Sequence, residues 1–205
     1  MKRDPWWHIA GLTSGLLFTV LLFLARLSPN VLDAADDLVE NLIAPLQNLH
    51  AVEFFLAITV LGGTLGISVV ALGVAFFLRK SRRRIIQLAA LMAFAGVSMG
   101  IAKTFVERVR PDALLWLDPL NSYSFPSGHA TLTTALYGFI AVSFYRRAKS
   151  RLLRFLAVCL PVLVVFLVDL SRLVLNVHYF TDVLAGTLLG LFWLCVVFMF
   201  PRRLL

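Results

Sequence analysis

Three groups of polar residues lie where long apolar segments of this sequence begin or end. Lysine and arginine neutralise phosphate, and arginine can grip two phosphate oxygens at once. Histidine acts as a nucleophile or as a general acid, so side chains of these types suit phosphoryl transfer through a phosphohistidine. The groups are Lys103, Arg110 and Pro111; Pro126, Ser127, Gly128 and His129; and Ser171, Arg172, His178 and Asp182.

The second group lies where a polar loop gives way to an apolar segment, which predicts the start of a helix. Pro126 suits a first helical turn, Ser127 favours a helix cap, and Gly128 lets backbone approach a ligand closely. The unpaired N–H groups and the positive end of the dipole at a helix start attract anions such as phosphate. His129 would lie beside an anion bound there. Taken alone, the run is explained equally by a capped helix start.

The third group places His178 and Asp182 four residues apart, on one face at the start of a helix. The carboxylate can hold the imidazole in the tautomer that leaves its other nitrogen free for attack. His129 can then protonate the departing oxygen. Taken singly, the same residues are explained as a polar anchor, a lipid-headgroup contact or a helix-start charge. Their occurrence together favours a catalytic site.

Composition predicts one membrane domain that spans residues 1–205. Apolar residues make up 60% of the 205 residues and charged residues only 15%, which is typical of a membrane protein. The net charge of +8 does not indicate a nucleic-acid partner, because the basic residues cluster in short loops between apolar segments. Cys159 and Cys195 lie inside apolar runs, so they predict packing and no disulfide framework.

Six apolar segments are long enough to cross a bilayer, since each has about the 20 residues that a spanning helix needs. The first is too long for a signal peptide and shows no clear cleavage site. We therefore expect an all-α bundle of six transmembrane helices. The segments are about 8–27, 53–78, 85–102, 129–145, 152–171 and 180–200.

The basic residues predict the orientation of this bundle. In a six-span arrangement, 14 of the 19 Lys and Arg residues fall on one side, which marks that side and both termini as cytoplasmic. The three polar groups fall on the outer side, where cations are disfavoured and need another explanation. The 14 residues are Lys2, Arg3, Arg79, Lys80, Arg82, Arg83, Arg84, Arg146, Arg147, Lys149, Arg151, Arg154, Arg202 and Arg203.

Residues 28–50, between the first two spans, carry apolar side chains at helical spacing with four acids between them. This pattern predicts an amphipathic helix on the outer surface that ends or bends at Pro45. The acids could bind a cation, but a solvated polar face is the simpler interpretation. We expect this helix to border the lipid entrance. The four acids are Asp33, Asp36, Asp37 and Glu40.

The third span is rich in Ala, Gly and Ser, which predicts a central position because small residues let helices approach closely in lipid. Two glycine pairs, Gly62 with Gly66 and Gly186 with Gly190, have the same small-xxx-small spacing, and we interpret both as helix-packing positions.

Three further charged residues lie near the polar groups. Asp169 precedes Arg172 by three residues, so it either pairs with Arg172 or adds polarity to a helix end. Glu107 and Arg108 lie between residues of the first group, and we expect both to be solvated.

The order and spacing of the three groups resemble the signature of the type-2 phosphatidic acid phosphatase superfamily. Every position of the pattern Lys-x6-Arg-Pro, Pro-Ser-Gly-His and Ser-Arg-x5-His-x3-Asp is present within residues 103–182. The resemblance implies a six-helix bundle with its site at the outer membrane face, and a phosphatase that needs no metal and no cofactor. It also implies roles: His178 as nucleophile, Asp182 as its orienting partner, His129 as acid, and a phosphate site of Lys103, Arg110, Ser127, Gly128 and Arg172.

The resulting hypothesis is a lipid phosphatase of the bacterial cytoplasmic membrane that acts at the outer leaflet. Undecaprenyl diphosphate ranks first as substrate, followed by phosphatidylglycerophosphate and phosphatidic acid. The predicted partners are a lipid phosphate and membrane lipids, with no nucleic acid, and the oligomeric state is open. A lipid phosphotransferase remains an alternative, because a phosphohistidine can pass its group to an alcohol.

Three other classes fit less well. A transporter predicts charges spread along the bilayer midplane, whereas the charges in this sequence gather at one face. A lipid-binding scaffold would keep its function without His178. A vanadate-dependent haloperoxidase uses a similar site, but those relatives are soluble and six apolar spans argue against them.

Overall fold

The computed structural model describes residues 5–111 and 122–199. Lys2, Arg3, Arg202 and Arg203, which enter the orientation argument, lie outside the described residues. The architecture is all-α. The helices are α1 (Pro5–Leu27), α2 (Asn30–Ile43), α3 (Leu49–Thr59), α4 (Thr64–Phe77), α5 (Arg82–Val106), α6 (Gly128–Tyr145), α7 (Arg151–Val174) and α8 (Phe180–Met199), with 3-10 turns at Ala44–Leu46 and Val60–Gly62.

Four of the described helices are long and apolar enough to cross a membrane: α1, α5, α7 and α8. A fifth span is present if α2 and α3, which meet at an angle of 111°, are counted as one. Pro45 lies in the 3-10 turn between these two helices, as expected for a residue that cannot continue a helix. The chain is therefore a multi-pass membrane protein, with fewer continuous spans among the described residues than the six expected from the sequence.

The second expected span, residues 53–78, is broken and not continuous. Helix α3 ends at Thr59, and α4 begins at Thr64 after a 3-10 turn. A Cβ atom on Gly66 would clash with the carbonyl oxygen of Val60, so glycine at this position allows the chain to turn tightly. Gly66 thus allows the span to break, which corrects its interpretation as a packing position. Gly62 is a packing position as predicted, because a Cβ atom there would lie 2.5 Å from Val168 on α7 and 2.8 Å from Thr133 on α6.

Helices α6 and α8 form the centre of the bundle. Helix α6 contacts α4, α5, α7 and α8, while α8 contacts α1, α2, α5 and α6. Helix α5 also contacts four helices, α1, α4, α6 and α8, but one side of it stays open: Cβ atoms on its Gly96 and Gly100 would meet nothing within 4 Å. The small residues on that face of α5 leave open space, and no described helix fills it.

The second glycine pair brings α8 against the backbone of α6, as the sequence predicted. A Cβ atom on Gly186 would lie 2.5 Å from the carbonyl oxygen of Ser127, and one on Gly190 would lie 2.5 Å from that of Thr131. One turn before Gly186, the carbonyl oxygen of Asp182 accepts a 3.0 Å hydrogen bond from the backbone N–H of Ser127. Close packing of α8 on α6 therefore joins the second polar group to the third.

We expect Gly186→Ala to lower both stability and turnover, because the added methyl group must push α8 away from Ser127. Overpacking of this kind costs about 1–3 kcal/mol of unfolding free energy, and turnover should fall at least tenfold as the two polar groups separate. The matched control is Gly73→Ala in α4, where a Cβ atom meets nothing within 4 Å. Thermal unfolding in detergent and phosphate release would measure both effects. Wild-type values for Gly186→Ala would contradict the tight α6–α8 contact.

Helix α2 carries one buried acid, which corrects the expectation of a fully solvated acidic face. Asp33, Asp37 and Glu40 are exposed as expected, but Asp36 is only 4% exposed. It shares the inner face of α2 with the buried Leu32 one turn earlier. A carboxylate buried in this way must be paired, and its partners belong to the polar site.

Candidate active site

The three polar groups meet at one end of the bundle, where α5 and α7 end and α6 and α8 begin. Lys103 and Arg172 belong to the last turns of α5 and α7. Gly128 and His129 open α6, and Asp182 lies in the first turn of α8. The positive end of two helix dipoles therefore faces two cations across a small space, which suits an anion.

His178 lies just before α8, is buried, and has both ring nitrogens engaged. Its Nδ1 atom lies 3.5 Å from Oδ2 of Asp182 and 3.3 Å from Oγ of Ser124. The Ser124 hydroxyl in turn donates a short hydrogen bond to the same Asp182 oxygen. Asp182 therefore holds the Nδ1–H tautomer both directly and through Ser124, and the Nε2 lone pair points away from the carboxylate.

The other ring nitrogen of His178 faces a cation. Its Nε2 atom lies 3.1 Å from Nη1 of Arg110, which also donates to the carbonyl oxygen of Val177 at 2.9 Å. Arg110 is held from the other side by Ser122, through its carbonyl oxygen at 3.0 Å and its hydroxyl at 3.1 Å. A phosphate bound next to Nε2 of His178 would therefore be in reach of a preoriented guanidinium.

Burial keeps His178 neutral. The pKa of His178 is lowered to about 3: removal from water is the largest cause, Asp182 opposes it, and the positive charges of Arg110 and Arg172 also act to lower the pKa. Between pH 5 and 8 the imidazole thus carries no charge and keeps a lone pair on Nε2. This is the state that a nucleophilic histidine requires.

Ser127 caps α6, in agreement with the sequence. Its hydroxyl oxygen accepts from the backbone N–H of Ala130, and its carbonyl oxygen accepts from the N–H of Thr131 at 3.0 Å. Pro126 lies one residue before the cap, not in the first turn as expected, and its bond to Phe125 is cis. A Cβ atom on Gly128 would lie 3.1 Å from Sδ of Met99, so a larger residue would crowd the helix start.

The remaining predicted residues surround the same space. His129 lies close enough to Arg172, His178, Arg110 and Lys103 for their charges to act on its ring. The Lys103 ammonium group donates to the carbonyl oxygens of Tyr123 and Ser124. The structure thus brings together every residue that the sequence singled out: Lys103, Arg110, Ser127, Gly128, His129, Arg172, His178 and Asp182.

The break between α3 and α4 also reaches this site. The buried Arg172 donates from Nη1 to the hydroxyl of Thr59 at 2.7 Å. A Cβ atom on Gly62 would lie 3.1 Å from the His129 ring. The broken span thus positions one cation and forms a wall beside one histidine, two contacts that the sequence did not reveal.

Two expectations for nearby charges were wrong. Arg108 is not solvated: its guanidinium lies 2.7 Å from Asp36 and 2.7 Å from Asp182, with a side chain only 11% exposed. Asp169 accepts a 2.9 Å hydrogen bond from the Thr187 hydroxyl on α8. Asp169 therefore links α7 to α8 through this hydrogen bond, and its role is more than to add polarity to a helix end. Glu107 is exposed as expected and accepts from the Tyr123 hydroxyl.

Four residues near the site were missed by the sequence analysis, although two of them left a signal. Ser124 lies two residues before Pro126, next to the second polar group. Asp36 follows the apolar Leu32 by four residues and so lies on the same face of the helix. Arg108 was expected to be solvated and Thr59 gave no signal, because each acts on a partner that is distant in sequence. Within residues 5–111 and 122–199, no three His, Cys, Asp or Glu side chains gather as a metal site.

Fold and site together define a multi-pass membrane protein with a cluster of cations and histidines at one end of a helical bundle. Residues 84–204 match the family model of the PAP2 superfamily. The chain therefore belongs to the PAP2 superfamily, and it is an enzyme that hydrolyses phosphate esters of lipids.

Three similar proteins align with this chain, two along most of its length and one along about half of it. Phosphatidylglycerophosphatase B of Bacillus subtilis is 29% identical over 197 residues, which are 92% of this chain and 94% of that protein. Decaprenylphosphoryl-5-phosphoribose phosphatase of Mycobacterium tuberculosis is 37% identical over 113 residues, 53% of this chain and 57% of that protein. The crystal structure of a transmembrane PAP2 type phosphatidylglycerolphosphate phosphatase from Bacillus subtilis matches with a TM-score of 0.77 at 26% identity, covering 91% of this chain and 93% of that one.

Proposed function

We propose that the protein removes a terminal phosphate from a lipid phosphate through a phosphohistidine formed on His178. The observation that carries this proposal is the position of the two ring nitrogens. Nδ1 is held on the side of Asp182 and Ser124, while Nε2 faces Arg110 at 3.1 Å. A neutral imidazole with one fixed tautomer is arranged to attack phosphorus once a bound phosphate draws Arg110 away from the Nε2 lone pair.

In the first step, Nε2 of His178 attacks the phosphorus atom and the bond to the lipid oxygen breaks. His129, protonated beside the negative charge of the bound phosphate, gives its proton to that oxygen, so the lipid leaves as a neutral hydroxyl or as a monophosphate. In the second step, water attacks the phosphohistidine, and His129 takes a proton from the water. Inorganic phosphate leaves and His178 returns to its neutral state.

Three cations and one helix start would hold the transferring group. Lys103, Arg110 and Arg172 supply positive charge around His178 and His129. The first N–H groups of α6, beyond the cap at Ser127, add donors at the positive end of the helix dipole. Preorganised charge of this kind stabilises the transferring phosphoryl group without a metal ion, and we therefore propose metal-independent turnover.

We further propose that residues 1–205 form one domain with six membrane crossings, if the broken α3–α4 segment and the shorter α6 are each counted as one. The site would face the outer side of the bacterial cytoplasmic membrane, with both termini in the cytoplasm. This orientation is supported by the described connections that carry many basic residues, between α4 and α5 and between α6 and α7, which lie at the bundle end away from the site.

Undecaprenyl diphosphate remains our first candidate substrate, and the Mycobacterium tuberculosis relative, named for a decaprenylphosphoryl substrate, supports a polyprenyl lipid. The second candidate is phosphatidylglycerophosphate. It is favoured by the Bacillus subtilis relative, which is aligned along nearly the whole of this chain.

A substrate panel with purified protein in detergent would test these proposals. We expect phosphate release from undecaprenyl diphosphate, phosphatidylglycerophosphate and phosphatidic acid, with the highest kcat/KM for undecaprenyl diphosphate and no loss in excess EDTA. His178→Ala protein, purified in the same way, controls for contaminating phosphatases. Loss of activity with EDTA that returns on adding a divalent metal would contradict the metal-free mechanism. Transfer of label to an added alcohol in place of water would instead identify a phosphotransferase.

A further inference from the structure

Arg108 joins two carboxylates that come from distant parts of the chain. Its Nη1 atom donates to Oδ1 of Asp182 at 2.7 Å and its Nη2 atom donates to Oδ2 of Asp36 at 2.7 Å. The guanidinium also lies over the Tyr179 ring, 4.1 Å from the centroid. The two nitrogens of one planar fork are thus divided between α8 and α2, and the side chain has little freedom to move.

Asp36 forms a second link between α2 and the start of α8. Its Oδ1 atom accepts from the backbone N–H of Thr181 at 2.8 Å, and its Oδ2 atom accepts from the Thr181 hydroxyl at 2.9 Å. Thr181 is the residue before Asp182, so Asp36 satisfies one of the free N–H groups in the first turn of α8. A small cavity between α2 and the α7–α8 connection, lined in part by Asp36 and His178, puts these groups beside the site.

The two carboxylate oxygens of Asp182 have different partners, and the difference shows what Arg108 contributes. Oδ2 is directed at His178, Ser124 and the backbone N–H of Tyr179. Oδ1 accepts from the guanidinium of Arg108. Arg108 therefore fixes the rotation of the carboxylate, and through it the rotation of the imidazole.

Arg108 stays charged despite its burial. Removal from water acts to lower the pKa of Arg108, but the carboxylates of Asp182 and Asp36 more than offset this and leave the pKa raised. Both carboxylates are almost fully buried, at 0% and 4% exposed. Loss of the arginine would leave two buried carboxylates without their shared cation, which is strongly unfavourable.

We propose that Arg108 and Asp36 are positioning residues for the reaction, and that they hold Asp182 in the orientation in which it directs His178. The inference rests on the proposed function, since it assumes that His178 attacks and that Asp182 orients it. It assigns a role in the reaction to helix α2, which carries none of the signature residues. Arg108 acts on His178 through Asp182, whereas Arg110 faces Nε2 of His178 directly and would contact the phosphate.

The test compares Arg108→Gln and Arg108→Lys with Arg110→Gln, using a short-chain lipid phosphate in detergent. We expect Arg108→Gln to lower kcat about 10- to 100-fold, the usual effect of removing a group that orients an active-site residue, with KM changed less than about threefold. Arg108→Lys, which keeps the charge, should recover part of the loss. Arg110→Gln should raise KM as well as lower kcat, because Arg110 is proposed both to bind the phosphate and to stabilise its charge during transfer. A KM effect for Arg108→Gln as large as that for Arg110→Gln would overturn the positioning role.

The pH dependence of kcat in the Arg108→Gln variant separates the positioning role from a purely structural role, because a purely structural role would leave it unchanged. His178 is faced by Asp182, Arg110, Arg172 and His129, and Arg108 offsets the charge of Asp182. Without that cation the uncompensated carboxylate raises the pKa of His178, so the acid limb of kcat should move to higher pH by about one unit. A lower melting temperature with an unchanged kcat and acid limb would show that Arg108 only stabilises the fold.

Asp36→Asn provides a milder variant that keeps the shape of the side chain, in case Arg108→Gln does not fold. We expect kcat to fall about tenfold. In a double variant with Arg108→Lys, the combined loss should differ from the sum of the two single losses, because both residues belong to one network. The matched control is Asp33→Asn, which removes an exposed carboxylate from the same helix and should leave kcat unchanged. Equal rates for Asp36→Asn and Asp33→Asn would overturn the inference.

His178→Ala, assayed in parallel, separates this inference from the proposed function. If His178→Ala is inactive and the Arg108 and Asp36 variants match the wild type, only the positioning role is wrong. If His178→Ala retains turnover, the proposed function itself fails.

Discussion

Replacing His178 by alanine should reduce phosphate release by roughly 10⁵-fold, as expected when a covalent nucleophile is removed. The structure explains why no neighbour should replace it. His178 is buried, its neutral imidazole presents Nε2 towards Arg110, and its pKa of about 3 keeps it deprotonated throughout the working pH range. The measurement is single-turnover phosphate release from a lipid phosphate in detergent.

The matched control is His50→Ala, because His50 is an exposed histidine at the start of α3. It should retain wild-type turnover. A second experiment detects the intermediate itself: wild-type protein quenched at alkaline pH after mixing with labelled substrate should carry acid-labile label on His178. Label on another residue, or turnover by His178→Ala within tenfold of the wild type, would remove His178 from the proposed role.

Replacing Asp182 by asparagine should lower kcat on the order of 10³- to 10⁴-fold, the scale seen when the carboxylate that orients a catalytic histidine is lost. The asparagine side chain has nearly the same shape, but its amide cannot accept from every donor that now surrounds Asp182. Those donors are the Ser124 hydroxyl, the Tyr179 N–H and Arg108. The His178 tautomer would no longer be fixed, so attack through Nε2 becomes rare.

Stability must be measured beside kcat, because Asp182 is fully buried and also links α8 to Arg108. Asp37→Asn, at an exposed acid of α2, is the control for loss of a carboxylate. Ser124→Ala removes only the hydroxyl link and should lose less activity than Asp182→Asn. Folded Asp182→Asn protein with kcat within tenfold of the wild type would show that His178 does not depend on this carboxylate.

The polar groups of the site were visible in the sequence because each occupies a helix end, where local spacing decides what side chains do. Ser127 caps α6 and Asp182 opens α8, as the order of residues predicted. Close packing at Gly186 was also predictable, since small residues at a spacing of four mark helix contacts in membranes. Such features depend only on neighbouring residues in one segment and on which of them share a helix face.

Features that depend on two distant segments were not visible. The break after Thr59 includes a tight turn that needs glycine at Gly66, although the spacing of Gly62 and Gly66 equally suits a straight helix. The acid at Asp36 has the same helical pattern as the exposed acids beside it, and only the approach of Arg108 explains its burial. The expectation of a continuous second span failed for the same reason.

By itself, the sequence determined the membrane class, the helix starts at the polar groups and the identities of the residues that gather there, because apolar length and local spacing are properties of one segment. Tertiary structure alone decided that α6 and α8 are central, that Ser124 lies between His178 and Asp182, and that α2 reaches Asp182 through Arg108. A buried charge is stable only beside its partner, and that partner is chosen by the packing of helices.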